Sequence, residues 1–262
     1  MRVYFINDLH WDFWKKTHSL DKFFDDFFLP ADVCCIAGDI ANYYEQEIEI
    51  LQYLKSRYTN IVYVVGNHDL GIFKKDIYKS NIISSNTKKN KLSNIIQNQL
   101  DGNIVKLNDI TFGGTCGSCD WSWALENFNT NQQEFLSKWN NWFDGYWWKM
   151  QVMNPKIIFD AELEKMKTIA EQKPNIFVTH FQPKTCPIAD MYKNDIMTGM
   201  FVFDDSKLNL PEGTIYHYGH THSKFKKEIN GILYLNNVVG YPEEICLNAL
   251  GNYNKEDFLL DL

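Results

Sequence analysis

Apolar residues first fall into three short continuous runs, each ending in polar residues. Val3 to Ile6 precede Asn7-Asp8, Val33 to Ala37 precede Gly38-Asp39, and Ile61 to Val65 precede Gly66-Asn67. Short runs this rich in Val and Ile predict strands buried on both faces. Between the first two, Leu20, Phe23, Phe24, Phe27 and Phe28 recur at i, i+3, i+4, i+7 and i+8, the single apolar stripe of a helix. Ile48, Leu51 and Leu54 mark a second helix in a polar, Glu-rich stretch. The resulting βαβαβ order packs helices on a mostly parallel sheet and gathers functional groups where the strands' carboxyl ends open into loops. Asp8, Asp39 and Asn67 all stand at that edge.

Further on, Asn103 to Leu107 and Ile110 to Gly113 read as strands with Asn108-Asp109 at the turn between them. Residues 121 to 172 read mainly helical and rich in Trp. Trp139, Trp142 and Tyr146 follow an i, i+3, i+7 stripe, the core face of a helix. Trp121 and Trp123 instead follow Gly113-Gly114 and Gly117 in a loop, which makes them candidates for the substrate cleft, where an indole can stack on a nucleobase. Strand signals return at Ile176 to Thr179, Thr214 to Tyr218, Lys224 to Ile229 and Ile232 to Leu235, with Asn230-Gly231 a two-residue hairpin turn. No internal repeat or Pro/Gly/Ser linker divides the chain, so one domain over 1–262 is expected, with a Trp-rich helical insertion at about 121–172.

Composition narrows the class. With 45% hydrophobic and 23% charged residues, the 262-residue chain is ordinary globular protein. A formal charge of -7 argues against gripping long nucleic acid, which runs on clustered Lys and Arg. Lys74, Lys75, Lys79, Lys88, Lys89 and Lys91 are read as a solvated loop and helix face. The first apolar run is too short for a signal peptide, and no stretch approaches the ~18 apolar residues of a membrane span. The expected setting is cytoplasmic. Six cysteines, Cys34 and Cys35 adjacent in an apolar run, look like buried free thiols. Cys116 and Cys119 form a lone C-x-x-C; half a zinc site or a redox pair is weighed against small residues in a tight loop, and the absence of a second pair favours the loop.

The polar strand ends, in order, are Asp8-Leu9-His10, Gly38-Asp39, Gly66-Asn67-His68-Asp69, His180, and Gly219-His220-Thr221-His222. In an extended segment D-x-H and H-x-H place two donors on one side, because side chains alternate with period two. Mixed oxygen and imidazole donors suit first-row divalent metals, Mn, Fe, Zn or Co, rather than calcium. The donors Asp8, His10, Asp39, Asn67, His180, His220 and His222, with one carboxylate able to bridge, make two ions the natural count.

These five blocks, D-x-H, G-D, G-N-H-D/E, H and G-H-x-H, are complete and in order from residue 8 to residue 222, and in this the chain resembles the calcineurin-like metallophosphoesterase superfamily. The resemblance implies a four-layer α/β/β/α sandwich of two mixed β-sheets flanked by helices. It also implies Asp8, His10 and His222 on one metal, Asn67, His180 and His220 on the other, Asp39 bridging, and attack by a bridging hydroxide. His68 would be the general acid with Asp69 fixing its ring, and Asn67 and His68 would also contact substrate. His18 and His217 are read as surface or packing residues.

The second block lacks the G-D-x-x-D-R-G of the protein phosphatases and the third ends in Asp69 rather than Glu, so the G-H-T-H block resembles the phosphodiesterase-like branch. Ile110 to Thr115 and Asn236 to Pro242 loosely match blocks of its predicted phosphohydrolases. Many relatives carry a second histidine after the fourth block, where this chain has Phe181. The expected substrate is a small, possibly nucleotide-type, phosphoester. The competing readings are a scaffold that has lost catalysis and a nuclease; the intact donor set weighs against the first and the acidic charge against the second.

Overall fold

Each apolar run becomes a strand of one sheet: β1 (Arg2–Ile6), β2 (Val33–Ala37) and β3 (Asn60–Val64). They pair in parallel, and Val3 to Ile6, Val33 to Ala37 and Ile61 to Val64 are buried throughout. Burying a Val or Ile side chain stabilises by roughly 1.5–3 kcal/mol, so the runs hold the sheet together wherever helices and a second sheet cover both faces. The computed structural model describes residues 1–70, 98–142, 144, 155–244 and 246–262. The lysines Lys74, Lys75, Lys79, Lys88, Lys89 and Lys91, and Tyr146, Trp147 and Trp148, lie outside the described residues.

β4 (Asn98–Gln99) extends the first sheet in parallel beside β3, and β13 (Leu259–Asp261) closes its other edge antiparallel to β1. A second sheet holds β5 (Asn103–Leu107), β6 (Ile110–Thr115), β7 (Ile176–Thr179), β10 (Ile215–His217), β11 (Phe225–Ile229) and β12 (Ile232–Asn236), in the order β11-β12-β10-β7-β6-β5. Its centre is parallel and its two edge hairpins antiparallel. At the β11–β12 turn Asn230 (φ 51°) and Gly231 (φ 76°) both adopt positive φ, the requirement of the turn that matches strand twist.

The sheets face one another, β1 against β12 and β3 against β6. The helix Tyr44–Arg57 covers β3, and the helix Pro155–Glu171 covers β5 and β6. The helix Leu20–Phe27, capped by Ser19, turns Phe23 and Phe24 into the core. The architecture is the four-layer sandwich that the resemblance implies. No described helix is long and apolar enough to cross a membrane.

The tryptophan stripe needs correction. Its helix, Gln132–Trp139, stops at buried Trp139, so Trp142 lies beyond the end in a turn and partly exposed. Cys116 and Cys119 lie buried and in no disulfide just after β6, in line with the tight-loop reading.

Candidate metal centre

The donors arrive at the strand ends through a backbone that ordinary residues avoid. Asp8 (φ 52°), His10 (φ 44°), Asp39 (φ 56°) and His220 (φ 70°) are all left-handed, where Cβ crowds the carbonyl oxygen. Each such residue costs on the order of 1–3 kcal/mol and persists only where neighbours hold it. Here Asp8 N donates to Gly38 O (3.0 Å), His10 N to Asp39 O (3.1 Å) and His220 N to the Asp8 carboxylate (3.0 Å). The expectation that D-x-H and H-x-H are extended is therefore corrected: tight left-handed turns, not strand alternation, bring the donors together. The glycines of the motifs serve the same packing, since a Cβ on Gly66 would stand 2.0 Å from Asp39 Oδ1.

Three groups of side chains offer donor atoms within 4.8 Å of one another: Asp8, His10 and His222; Asp39, His180 and His220; and His10, Asp39 and His68. Asp8 Oδ1 lies 3.3 Å from His222 Nε2, which lies 3.2 Å from His10 Nε2. In the second group Asp39 Oδ2 is 3.3 Å from His180 Nε2, which is 3.1 Å from His220 Nδ1. Asn67 joins this group, its Oδ1 2.8 Å from His180 Nε2. Donors bound at ~2.0–2.2 Å around one ion would be spaced by about these separations.

Ring orientation supports a cation. His180 Nδ1 faces the Ala37 carbonyl at 2.8 Å, and because a carbonyl only accepts, Nδ1–H donates and Nε2 turns toward the cluster. His222 Nδ1 meets Glu244 in the same way. Imidazole nitrogens thus face each other across about 3 Å with carboxylates between them, an arrangement that positive charge completes. The electrostatics agree. Burial would lower His180, yet the Asp39 carboxylate raises it to about 9; burial would lower His222, yet Asp8 and Glu244 raise it to about 10. Burial would raise Asp8, but His222 brings it to about 2. His10 and His220 are pushed well below the usual histidine range, first by burial and then by neighbouring imidazoles. Asp8 thus stays ionised, and its charge in turn favours a protonated His222.

His68 is the second residue of the short helix Asn67–Leu70, its backbone N–H on Asp39 Oδ1 at 2.9 Å and its Nε2 3.9 Å from Asp39 Oδ2. The buried carboxylate of Asp69 accepts from the N–H groups of Asp39, Ile40 and Gly66, each at 2.8 Å, and from Tyr63. It anchors the strained turn after β2, correcting the expectation that it fixes the ring. That position belongs to Asn42, whose Oδ1 lies 2.7 Å from His68 Nδ1. Asp12 accepts from Asn42 Nδ2 at 2.7 Å, which turns the amide oxygen onto the ring. Nδ1–H of His68 is thereby committed, leaving Nε2 toward the cluster.

Two carboxylates lacked any motif in the sequence. Buried Asp144 accepts from Asn67 Nδ2 at 2.8 Å, so the amide oxygen of Asn67 must face the cluster; burial raises Asp144 to about 6. Glu244 holds His222. The block Asn236 to Pro242 is tied to the end of β1, with Val239 N on Asn7 O and Gly240 N on Asp8 O, and so lays Tyr241 on the His10 ring at 4.4 Å. Phe181 is buried and packs against His220 at 4.4 Å.

Above the cluster lies a cavity of about 460 Å³, lined by Asp39, Asn67, His68, His220 and His222 together with aromatic residues including Trp142. Trp121 and Trp123 do not line it. Both are buried, Trp121 against Phe135 and Trp123 against Phe128, so the expectation of a stacking loop is corrected. His217 is buried between the carbonyls of Ile6 and Leu235, while His18 packs on Trp14 at the surface.

Among solved structures, the phosphopantetheinyl hydrolase of Mycobacterium tuberculosis superposes with a TM-score of 0.68 at 17% identity, covering 92% of this chain and 89% of that one, which establishes a shared fold. Uncharacterized protein L509 of Acanthamoeba polyphaga mimivirus is 28% identical over 92% of this chain and 91% of its own. A symmetrical bis(5'-nucleosyl)-tetraphosphatase of Buchnera aphidicola subsp. Baizongia pistaciae is 32% identical over 43% of this chain. The chain spans about a third of the length of that enzyme, 35%. Residues 1–224 match the calcineurin-like phosphoesterase family. That match takes in the whole His/Asp cluster, and with it the chain belongs to the calcineurin-like phosphoesterases, metal-dependent hydrolases of phosphoric esters.

Proposed function

We propose that the protein hydrolyses a small, nucleotide-type phosphoester at a dinuclear centre, with Asp8, His10 and His222 holding one ion, Asn67, His180 and His220 the other, and Asp39 bridging. The observation that carries this reading is the position of Asp39, a member of groups shared with both His10 and His180. The N/O donor set suits Mn, Fe, Zn or Co. Two such ions, when bound, lower the pKa of water and neutralise charge on the phosphoryl oxygens.

The chain's own residues do the rest. Asn67 and His68 line the cavity, which supports a role for both in contacting the phosphoryl group. His68, with Nδ1–H on Asn42, presents Nε2 to the leaving oxygen as a general acid. Asp12 and Asn42 hold the ring in that orientation. The donors come from both sheets, which supports a single domain. Cys34, Cys35, Cys116, Cys119 and Cys186, buried and in no disulfide, support a reducing, cytoplasmic setting.

The test is metal stoichiometry measured alongside hydrolysis of nitrophenyl and nucleotide esters in Mn-reconstituted protein. Two ions per chain, with activity lost on chelation and restored by metal, are expected. Full activity at one ion per chain would overturn the dinuclear assignment.

A further inference from the structure

Each half of the cluster carries its own aromatic pair. On the side of Asp8, His10 and His222, Tyr241 stacks on His10 and lies 5.0 Å from His222, and Phe13 meets Tyr241 edge-on at 4.7 Å. On the side of Asp39, His180 and His220, Phe201 lies 4.7 Å from the His220 ring, and Trp142 meets Phe201 edge-on at 5.7 Å. All four rings line the cavity. Phe13 is exposed and Trp142, Phe201 and Tyr241 are partly so, which leaves ring surface for a ligand.

Besides the donors themselves, the charged groups on the walls are Asp144, which meets Asn67, and Glu244, which meets His222; no Lys or Arg stands among the described lining residues. Carboxylate walls repel a chain of additional phosphates but tolerate neutral rings. A phosphomonoester has one organic group and can cover one aromatic pair only. A diester has one on each of two ester oxygens and a single negative charge at the phosphate.

We infer that this cavity takes a single phosphodiester linkage with an uncharged, ring-bearing group on each side, one arm against Phe13 and Tyr241 and the other against Trp142 and Phe201. The inference rests on the phosphoester hydrolysis proposed above. The reaction balances simply: the oxygen of water bonds to phosphorus, the phosphorus–oxygen bond to one arm breaks, and that oxygen leaves with a proton as an alcohol. The second proton of water goes to solvent, and the other arm remains on a phosphomonoester.

The experiment compares kcat/KM of the Mn-reconstituted protein for bis(p-nitrophenyl) phosphate, p-nitrophenyl phosphate, a dinucleoside monophosphate and a dinucleoside tetraphosphate. Binding is read separately from the inhibition constants of two hydrolysis-resistant probes, two-armed diphenylphosphinate and one-armed phenylphosphonate. The diesters should exceed the monoester and the tetraphosphate by about ten-fold or more, a scale set by stacking on one aromatic side chain. Phe13→Ala, at the most exposed of the four rings, and Trp142→Ala should each lower the diester-to-monoester ratio about ten-fold and erase the preference for diphenylphosphinate. Preference for the monoester or the tetraphosphate, or a ratio unmoved by both substitutions, overturns the inference while leaving phosphoester hydrolysis standing. Metal-dependent hydrolysis of none of the esters overturns that reading, and the inference with it.

Discussion

The floor of the cavity and its walls are built on opposite terms. Floor residues stand at the ends of β1, β2, β3 and β7 and just past β10; Asp8, His10, Asp39 and His220 among them adopt strained left-handed backbone that hydrogen bonds hold, Asp69 bracing the turn after β2. Wall residues come from turns and loops: Phe13 from a four-residue helix, Trp142 from the turn after Trp139, Phe201 from the loop before β9 (Val202–Phe203), and Tyr241 and Glu244 from the segment after β12. A rigid sheet edge fixes donor positions to within the tolerance a metal needs, whereas loops set what fits beside it. Changes to the floor should therefore remove chemistry, and changes to the walls should redistribute it.

The sharpest break is Asp39→Asn. An amide cannot bridge two cations as a carboxylate does, and Asp39 belongs to groups on both sides of the floor. Both ions should weaken together and turnover should fall to background, as read by elemental analysis beside steady-state kinetics. Two tightly retained ions in this variant would show that Asp39 does not bridge.

Next in size is His68→Ala, which touches the floor without supplying a proposed ligand. The ions should stay, and turnover should drop about 10²- to 10⁴-fold on alkyl esters, the scale of a lost general acid. Nitrophenolate leaves with little help from a proton, so the deficit should shrink on nitrophenyl esters. An equal deficit on both would mean that His68 binds phosphate instead of donating a proton.

The contrast between floor and walls is also the contrast between what could and could not be read from the chain. Val/Ile runs ending in Asp, Asn or His mark the floor, because a strand buried on both faces has no polar residues until it emerges. Glu244 and Asp144 escape such reading, since a carboxylate that orients a ligand through space needs no fixed sequence spacing from it. Asn42 was equally silent until Asp12 and His68 were seen on either side of its amide. In the fold, β4 (two residues), β13 (three) and the β8–β9 pair (Gln182–Pro183 with Val202–Phe203) are too short to show a period of two, and only pairing with a neighbour defines them. Asp69 misled for a related reason. Its place beside His68 in the chain suggested a dyad, but a helical turn points consecutive side chains in different directions.

A smaller effect separates the two halves of the floor. Glu244 orients His222, and Asp144 orients Asn67. Removing such a partner typically costs 10- to 100-fold in metal affinity. Glu244→Ala should weaken the ion held by Asp8, His10 and His222, and Asp144→Ala the ion held by Asn67, His180 and His220. Asp144→Asn, which still offers an oxygen to the Asn67 amide, should retain more affinity than the alanine. Two-phase chelator competition resolves the halves, and equal weakening of both ions in each variant would show that they are not held independently.

The smallest effect on substrate choice should come from Trp121, and that smallness is the point. Its ring is 6% exposed, packs on Phe135 at 5.4 Å and does not line the cavity, whereas Trp142 does. Trp121→Ala should therefore act through packing: a deleted buried indole costs roughly 3–5 kcal/mol of stability through lost contacts and the void left behind. The midpoint of denaturant unfolding should fall clearly, while the diester-to-monoester ratio measured below that midpoint stays at the wild-type value. Trp142→Ala should do the reverse, moving the ratio more than the unfolding midpoint, because a partly exposed ring beyond a helix end contributes less to the core. If Trp121→Ala shifts the ratio as far as Trp142→Ala does, the packing of the Trp-rich segment and the shape of the cavity are one system, and the division between floor and walls fails at this side of the molecule.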